Sequence, residues 1–226
     1  MTEEKYIPRL YGRQQDKPLK PRQARLMESL LPRLAVPLNG AVDLRAIFPQ
    51  TDEIHLEVGF GGGEHLAWQA AHNPGAGFIG AEPFVNGVGK LLGLIDDQGL
   101  ENVRIHHGDA RPLMEALPDA GLARIYVLHP DPWPKKCHHK RRMISPWFFA
   151  EAARLLRPGG ELRVASDIRD YIRWTLMHAQ NAPDFEWTAK RAADWKQRPE
   201  DWPQTRYEAK SLREGRTPSY LVFRRK

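Results

Sequence analysis

The chain has 226 residues, 41% of them hydrophobic, which suits one large core or a domain with appendages. No apolar run approaches the roughly 18 residues of a membrane span. The charged N-terminus and the single cysteine, Cys137, lead us to expect no signal peptide, no disulfide framework and a reduced, cytoplasmic setting.

The net charge of +6 is unevenly spread. Residues 1–25 carry a net +4, residues 129–142 a net +4 and residues 189–226 a net +6, which leaves −8 for the rest. An acidic body with three basic segments predicts a polyanion bound on one side, whereas a generic soluble surface would mix the signs.

In chain order, residues 1–20 are polar and basic with little periodicity, and read as an arm that is partly disordered without a partner. Pro21 can start a helix, and Leu26, Met27, Leu30, Leu31 and Leu34 follow at helical spacing, so this helix is expected to pack on the main domain. Residues 35–52 read as a connector with one short helical stretch. We divide the chain into a basic arm and helix, 1–52, and a main domain, 53–226. Within the latter, apolar runs at 54–58, 78–81, 103–106, 125–128 and 161–165 predict strands, and periodic stretches at 64–71, 88–95, 113–117, 147–156 and 168–179 predict helices. Arg157-Pro158-Gly159-Gly160 should close the fourth of these helices. Residues 185–187 and 220–223 look like two final strands forming an antiparallel edge.

Strands alternating with helices imply a mostly parallel sheet covered on both faces, with ligands at the carboxyl ends of the strands. Glu57, Gly59, Glu82, Asp109, Asp131 and Asp167 all fall at such ends. One or two of these acids could be helix caps, and Asp109 is the best candidate for that role.

Gly59-Phe60-Gly61-Gly62-Gly63 follows the first strand at once. A dinucleotide fingerprint needs its third glycine at position 64, where this chain has Glu64. A carboxylate at that helix N-terminus would repel a pyrophosphate. S-adenosylmethionine carries no phosphate, and its cationic sulfur and ammonium tolerate acids. Glu82 is then placed for the ribose hydroxyls, Asp109 for the adenine amino group, and Glu57 for the loop or the ammonium.

Residues 129–142 read His-Pro-Asp-Pro-Trp-Pro-Lys-Lys-Cys-His-His-Lys-Arg-Arg. Three prolines, at 130, 132 and 134, forbid helix and ladder pairing and stiffen the segment that carries Asp131 and Trp133. Five cations follow. A fixed carboxylate and aromatic beside a basic patch is what a nucleobase with its phosphates requires. With one cysteine and no clustered ligand set, no metal site is expected. His55 reads as a packed strand residue, and Trp68 and Trp147 as core.

Taken together, residues 57–63, Glu82, Asp109, residues 129–142, Ser166-Asp167 and Thr205-Arg206-Tyr207-Glu208 resemble the bacterial tRNA (guanine-N7)-methyltransferase family, in order, from about residue 50 to the C-terminus. The resemblance implies an α/β, Rossmann-like class I methyltransferase fold, with a mostly parallel seven-stranded sheet, helices on both faces and an antiparallel edge strand. It implies S-adenosyl-L-methionine as donor and a guanosine of the tRNA variable loop, position 46, as acceptor. Glu57, Gly59, Gly61, Glu82, Asp109 and Asp131 would border the cofactor, with Asp131 also the catalytic acid. Lys135, Asp167, Thr205, Arg206, Tyr207 and Glu208 would bind substrate, and Cys137, His138, His139, Lys140, Arg141 and Arg142 would contact RNA. Cys137 departs from the basic residue expected there. The family includes monomers and homodimers. The competing readings are a dehydrogenase on the same fold, a non-catalytic RNA-binding module, and a methyltransferase for another RNA guanosine, a small molecule or a protein.

Overall fold

A computed structural model describes residues 11–12 and 14–226. Most of the basic arm, residues 1–10 and Arg13, lies outside the described residues. The elements run α1 (Pro21–Ser29), α2 (Leu31–Leu34), α3 (Leu44–Ile47), β1 (Ile54–Val58), α4 (Glu64–His72), β2 (Gly77–Ala81), α5 (Val85–Gln98), β3 (Val103–His106), α6 (Ala110–Ala116) and β4 (Leu122–Leu128). They continue through a 3-10 turn (Lys136–Arg141), α7 (Pro146–Leu155), β5 (Leu156–Ser166), α8 (Arg169–Gln180), β6 (Phe185–Trp187), α9 (Ala193–Lys196), α10 (Arg206–Arg213) and β7 (Ser219–Arg225).

One seven-stranded sheet has the order β3-β2-β1-β4-β5-β7-β6. The first five strands are mutually parallel, and β7 runs antiparallel to both β5 and β6. The sheet feeds a core on each face. Phe78, Val103 and Ile105 pack with Leu66, Leu91 and Leu92 of α4 and α5. Ile79, Ile125 and Val164 pack with Leu113, Phe148 and Tyr171 of α6, α7 and α8. Because both faces are covered, all five residues of β1 are buried, as a central parallel strand requires.

The helix boundaries follow from local chemistry. The Ser145 hydroxyl accepts the Phe148 amide, and Pro146 pre-sets the first helical residue of α7. Gly99, with φ +62°, ends α5 in a left-handed cap. Leu26, Met27, Leu30 and Leu31 lie partly buried against the α4–α5 core, so α1 packs on the main domain, against α5, as its periodicity predicts. The connector is tied in as well: the Val36 amide donates to the Ile105 carbonyl at 3.0 Å, and Val42, Leu44, Ile47 and Phe48 are buried.

Three expectations are corrected. The Arg157-Pro158-Gly159-Gly160 stretch belongs to β5, where Leu156 pairs with Leu122 and the register shifts before Arg124 meets Glu161. Gly159, at φ +79°, absorbs that irregularity, which masks the strand's apolar pattern. Trp68 is only half-buried and stacks on His72 with ring centroids 3.9 Å apart. Trp147 is likewise a partly buried border residue of the core. His55 is packed as expected, edge-on to Phe78. No helix among the described residues is long and apolar enough to cross a membrane.

Candidate active site

The parallel strands end on one side of the sheet, and there the backbone turns into a ring of loops. The Gly59 amide donates to the Ala81 carbonyl at 2.8 Å, the Glu82 amide to the His106 carbonyl at 3.1 Å, and the His129 amide to the Ala165 carbonyl at 2.8 Å. These bonds carry the sheet register one step past the strands and hold the loops at fixed spacing.

The glycine loop is shaped by contacts that side chains would forbid. Gly59, Gly61 and Gly63 all have positive φ. A Cβ on Gly61 would lie 3.1 Å from the Tyr207 ring, and one on Gly87 of α5 would lie 2.1 Å from the Gly61 carbonyl oxygen. Gly87 therefore lets the helix after β2 approach the loop after β1, a role the sequence reading did not assign.

Glu82 organises the centre. One carboxylate oxygen accepts the Gly61 amide at 2.7 Å, and the other accepts the Phe84 amide at 2.9 Å. Burial raises its pKa, the two amides pull it back, and the charges of Asp131 and Glu57 push it up again. The charges of acids from two other strand ends thus converge on Glu82. Asp131 is exposed at the mouth, yet the protein crowded around its carboxyl desolvates it enough to raise its pKa.

Glu57 lies deeper than the sequence suggests. It is 2% exposed, and its Oε2 is 2.7 Å from His65 Nδ1 of α4. Gln69, one turn further along α4, donates to the Asp201 carbonyl at 2.6 Å, which ties the C-terminal segment to the glycine loop's helix. Glu57 therefore braces the loop from below. Asp109 caps α6, accepting the Arg111 amide at 3.0 Å and pairing with the Arg111 guanidinium at 2.7 Å. The cap role weighed for it is present.

Helix α10 lies across the glycine loop. The Thr205 hydroxyl caps it by accepting the Glu208 amide at 3.2 Å. Arg206 pairs with Glu64, so the residue that replaces the third glycine serves as an anchor for α10. Tyr207 is 52% exposed, covers Gly61, and lies nearly parallel to His129 with centroids 6.5 Å apart. Glu208 turns the other way. It is 5% exposed, accepts the Tyr220 hydroxyl at 2.7 Å and pairs with Arg198 at 3.2 Å, so it faces the sheet and not the cleft. Asp167 accepts from Arg216 at 2.6 Å and from Ser211 at 2.8 Å. Burial would raise its pKa, but these two donors outweigh it and hold the carboxyl below its usual range. His129 Nδ1 is 3.6 Å from Asp167, and burial pushes the imidazole pKa down against that carboxylate's pull.

The basic run divides. Lys135, Lys136, Cys137 and Lys140 are exposed. His138 meets the Trp133 ring edge-on, and His139 meets Trp174 in the same way. The Arg141 guanidinium lies over both Tyr11 and Trp133, at 4.5 and 4.9 Å from their ring centroids. Arg142, expected at the RNA face, points inward. Its side chain is 1% exposed, and it donates to the Pro132 carbonyl at 2.8 Å and to Asp170 at 2.6 Å. No sequence signal separated Arg142 from Lys140, because a position two residues along in a charge run does not show which way it faces. No group of three or more potential metal ligands occurs among the described residues.

The strand order, the antiparallel β7, the glycine turn after β1 and the acid after β2 define a class I, Rossmann-like methyltransferase fold. Solved structures agree on the fold. The 16S rRNA methyltransferase KamB matches with a TM-score of 0.59 at 18% identity, covering 80% of this chain and 92% of its own. TrmN from Thermus thermophilus matches with a TM-score of 0.52 at 21% identity, covering 81% of this chain and 47% of its own. A family model described as "Putative methyltransferase" matches residues 51–220. The tRNA (guanine-N(7)-)-methyltransferase of Rhodospirillum rubrum is 52% identical over 96% of this chain and 88% of its own length. Those of Rhizobium meliloti and Ruegeria pomeroyi are 50% and 51% identical over 95% of this chain. The chain belongs to the tRNA (guanine-N(7)-)-methyltransferase family.

Proposed function

We propose that this protein transfers a methyl group from S-adenosyl-L-methionine to N7 of a guanosine in tRNA, at position 46 of the variable loop. The observation that carries the proposal is Asp131, standing between the acidic glycine-loop cleft and a run of exposed lysines on a chain half identical to enzymes of that name. A pyrophosphate would be repelled by a cleft in which the charges of Asp131 and Glu57 already raise the cost of ionising Glu82. A sulfonium and an ammonium would be welcomed there. The residues present therefore fit this cofactor, with Gly59, Gly61, Glu82, Asp109 and Asp131 as its neighbours.

When bound, S-adenosyl-L-methionine supplies an activated methyl group. Guanine N7 offers its lone pair without deprotonation, so no general base is required, and this chain's residues act by alignment and electrostatics. Asp131 accepts hydrogen bonds from the guanine N1–H and amino group, and its desolvated charge stabilises the positive charge that develops on the purine. Asp167 and Tyr207 border the same opening, and Tyr207 is exposed enough to stack on a base drawn out of the tRNA core. Lys135, Lys136 and Lys140 take phosphates. Glu208 contributes by holding α10 to Tyr220.

The test is methyl transfer from labelled donor to unmodified tRNA transcripts with and without guanosine at position 46. Transfer that vanishes with the guanosine is expected. Transfer to both transcripts would reject the position, and transfer to neither would reject the acceptor.

A further inference from the structure

Arg142 is the one cation of the basic run whose side chain is almost fully buried, with Nε and Nη2 bonded inside the protein and Nη1 left without a partner. Its guanidinium sits 5.0 Å from the Trp174 ring centroid and 5.4 Å from that of Tyr171. Nε donates to the Pro132 carbonyl at 2.8 Å. Nη2 donates to Asp170 of α8 at 2.6 Å and makes a longer, 3.4 Å contact with the Trp133 carbonyl.

The segment it grips needs such a donor. Prolines at 130, 132 and 134 remove three amides, so the loop cannot brace itself by backbone pairing. His129 and Trp133 both adopt positive φ, +50° and +42°, a conformation that persists only where the surroundings over-determine it. Asp131 lies between these two residues. The carbonyls Arg142 holds belong to the two residues immediately after Asp131. An arginine can do this because its planar fork reaches two acceptors in fixed directions, which an ammonium cannot.

We propose that Arg142 is a positioning residue. It fixes the Pro132–Trp133 backbone, and through it the Asp131 carboxylate, and it takes no part in binding phosphate. The inference rests on the reading of Asp131 as the residue that stabilises the reacting guanine.

The experiment compares Arg142→Lys, Asp131→Asn and the double variant with the full-length wild type. It measures turnover at saturating tRNA, the salt dependence of tRNA binding, and hydrogen exchange in peptides spanning residues 129–136. For Arg142→Lys, turnover falls about 10- to 100-fold. Exchange in the loop accelerates, and in Arg142→Gln, which removes the charge, the salt slope of tRNA binding stays unchanged. The double variant is no slower than Asp131→Asn, because both changes remove one contribution. Asp170→Asn, at the half-exposed partner of the pair, accelerates loop exchange in the same way and serves if Arg142→Lys does not fold. A turnover near wild type in Arg142→Lys would overturn the proposal, and a salt slope lower by about 0.7 to 0.9 in Arg142→Gln would identify Arg142 as a phosphate contact and overturn it as well. Losses that multiply in the double variant, or loop exchange that stays slow, would overturn it too. Hydrogen exchange reads the loop whether or not tRNA is the acceptor, so a wrong substrate for the wild type remains distinguishable from a wrong role for Arg142.

Discussion

His65 Nδ1 lies 2.7 Å from Glu57 Oε2, and both side chains are almost fully buried. The pair joins the strand before the glycine loop to the helix after it, so the loop is held from beneath at both ends. Replacing His65 by Ala leaves a buried carboxylate without its partner. The expected cost is about 3 kcal/mol, read as a shift in the urea midpoint. A loss below about 1 kcal/mol would mean that the pair does not brace the loop.

Asp131→Asn keeps the shape of the side chain and removes its charge. Turnover should fall about 100-fold. Binding of S-adenosyl-L-methionine, followed by calorimetry, should also weaken, because Asp131 borders the cofactor, but by much less than turnover, since the charge is needed chiefly as the purine becomes positive. Full turnover in this variant would remove Asp131 from the chemistry.

Gly61 combines a φ of +56° with a Cβ position 3.1 Å from the Tyr207 ring. Gly61→Ala should cost about 1–2 kcal/mol from the backbone alone. It should also weaken cofactor binding, as the ring is pushed off the loop. Adding Tyr207→Ala should relieve the contact but not the backbone cost, so the double variant recovers stability only in part. Complete recovery would show that the backbone conformation carries no strain.

Lys140 is exposed, whereas Arg142 two residues on is buried. Lys140→Ala should lower the slope of log binding constant against log salt for tRNA by about 0.7 to 0.9. An unchanged slope would place the phosphate track elsewhere on the surface.

His55 is 2% exposed, and burial drops its pKa from 6.5 to about 4, against the opposing pull of Glu53. The unfolded chain therefore takes up a proton on His55 before the folded one does. The resulting stability is complete above pH 6.5 and drains away as the pH falls toward 4. It amounts to about 3 kcal/mol at most. Denaturant midpoints measured across that window should fall for the wild type and stay flatter for His55→Gln. Parallel curves would assign the acid sensitivity to other groups.

How much of this was legible before folding differs by element. The parallel strands were readable because burial on both faces leaves continuous apolar runs, and Ile54-His55-Leu56-Glu57-Val58 stands out even with two polar members. β5 was half hidden, because Arg157-Pro158-Gly159-Gly160 carries the signature of a helix stop while its backbone continues the strand pairing. Glu82 was identified at its strand end, but its grip on the Gly61 amide was not, since that bond joins residues 21 positions apart.

What the amino-acid order determined by itself is the alternation of strands and helices, the glycine turn, the row of acids at strand ends and the proline-stiffened basic run. These are local patterns, set by side-chain period and backbone restriction. What only the tertiary structure decided is direction. Glu57 turns down to His65, Glu208 down to Tyr220 and Arg142 inward to Pro132 and Asp170, while Tyr207 and Lys140 face out. In each case a charged group of the same type had two possible destinations. The choice was made by which partner the packed helices brought within hydrogen-bonding distance, because a buried charge without a partner costs more than the fold can bear.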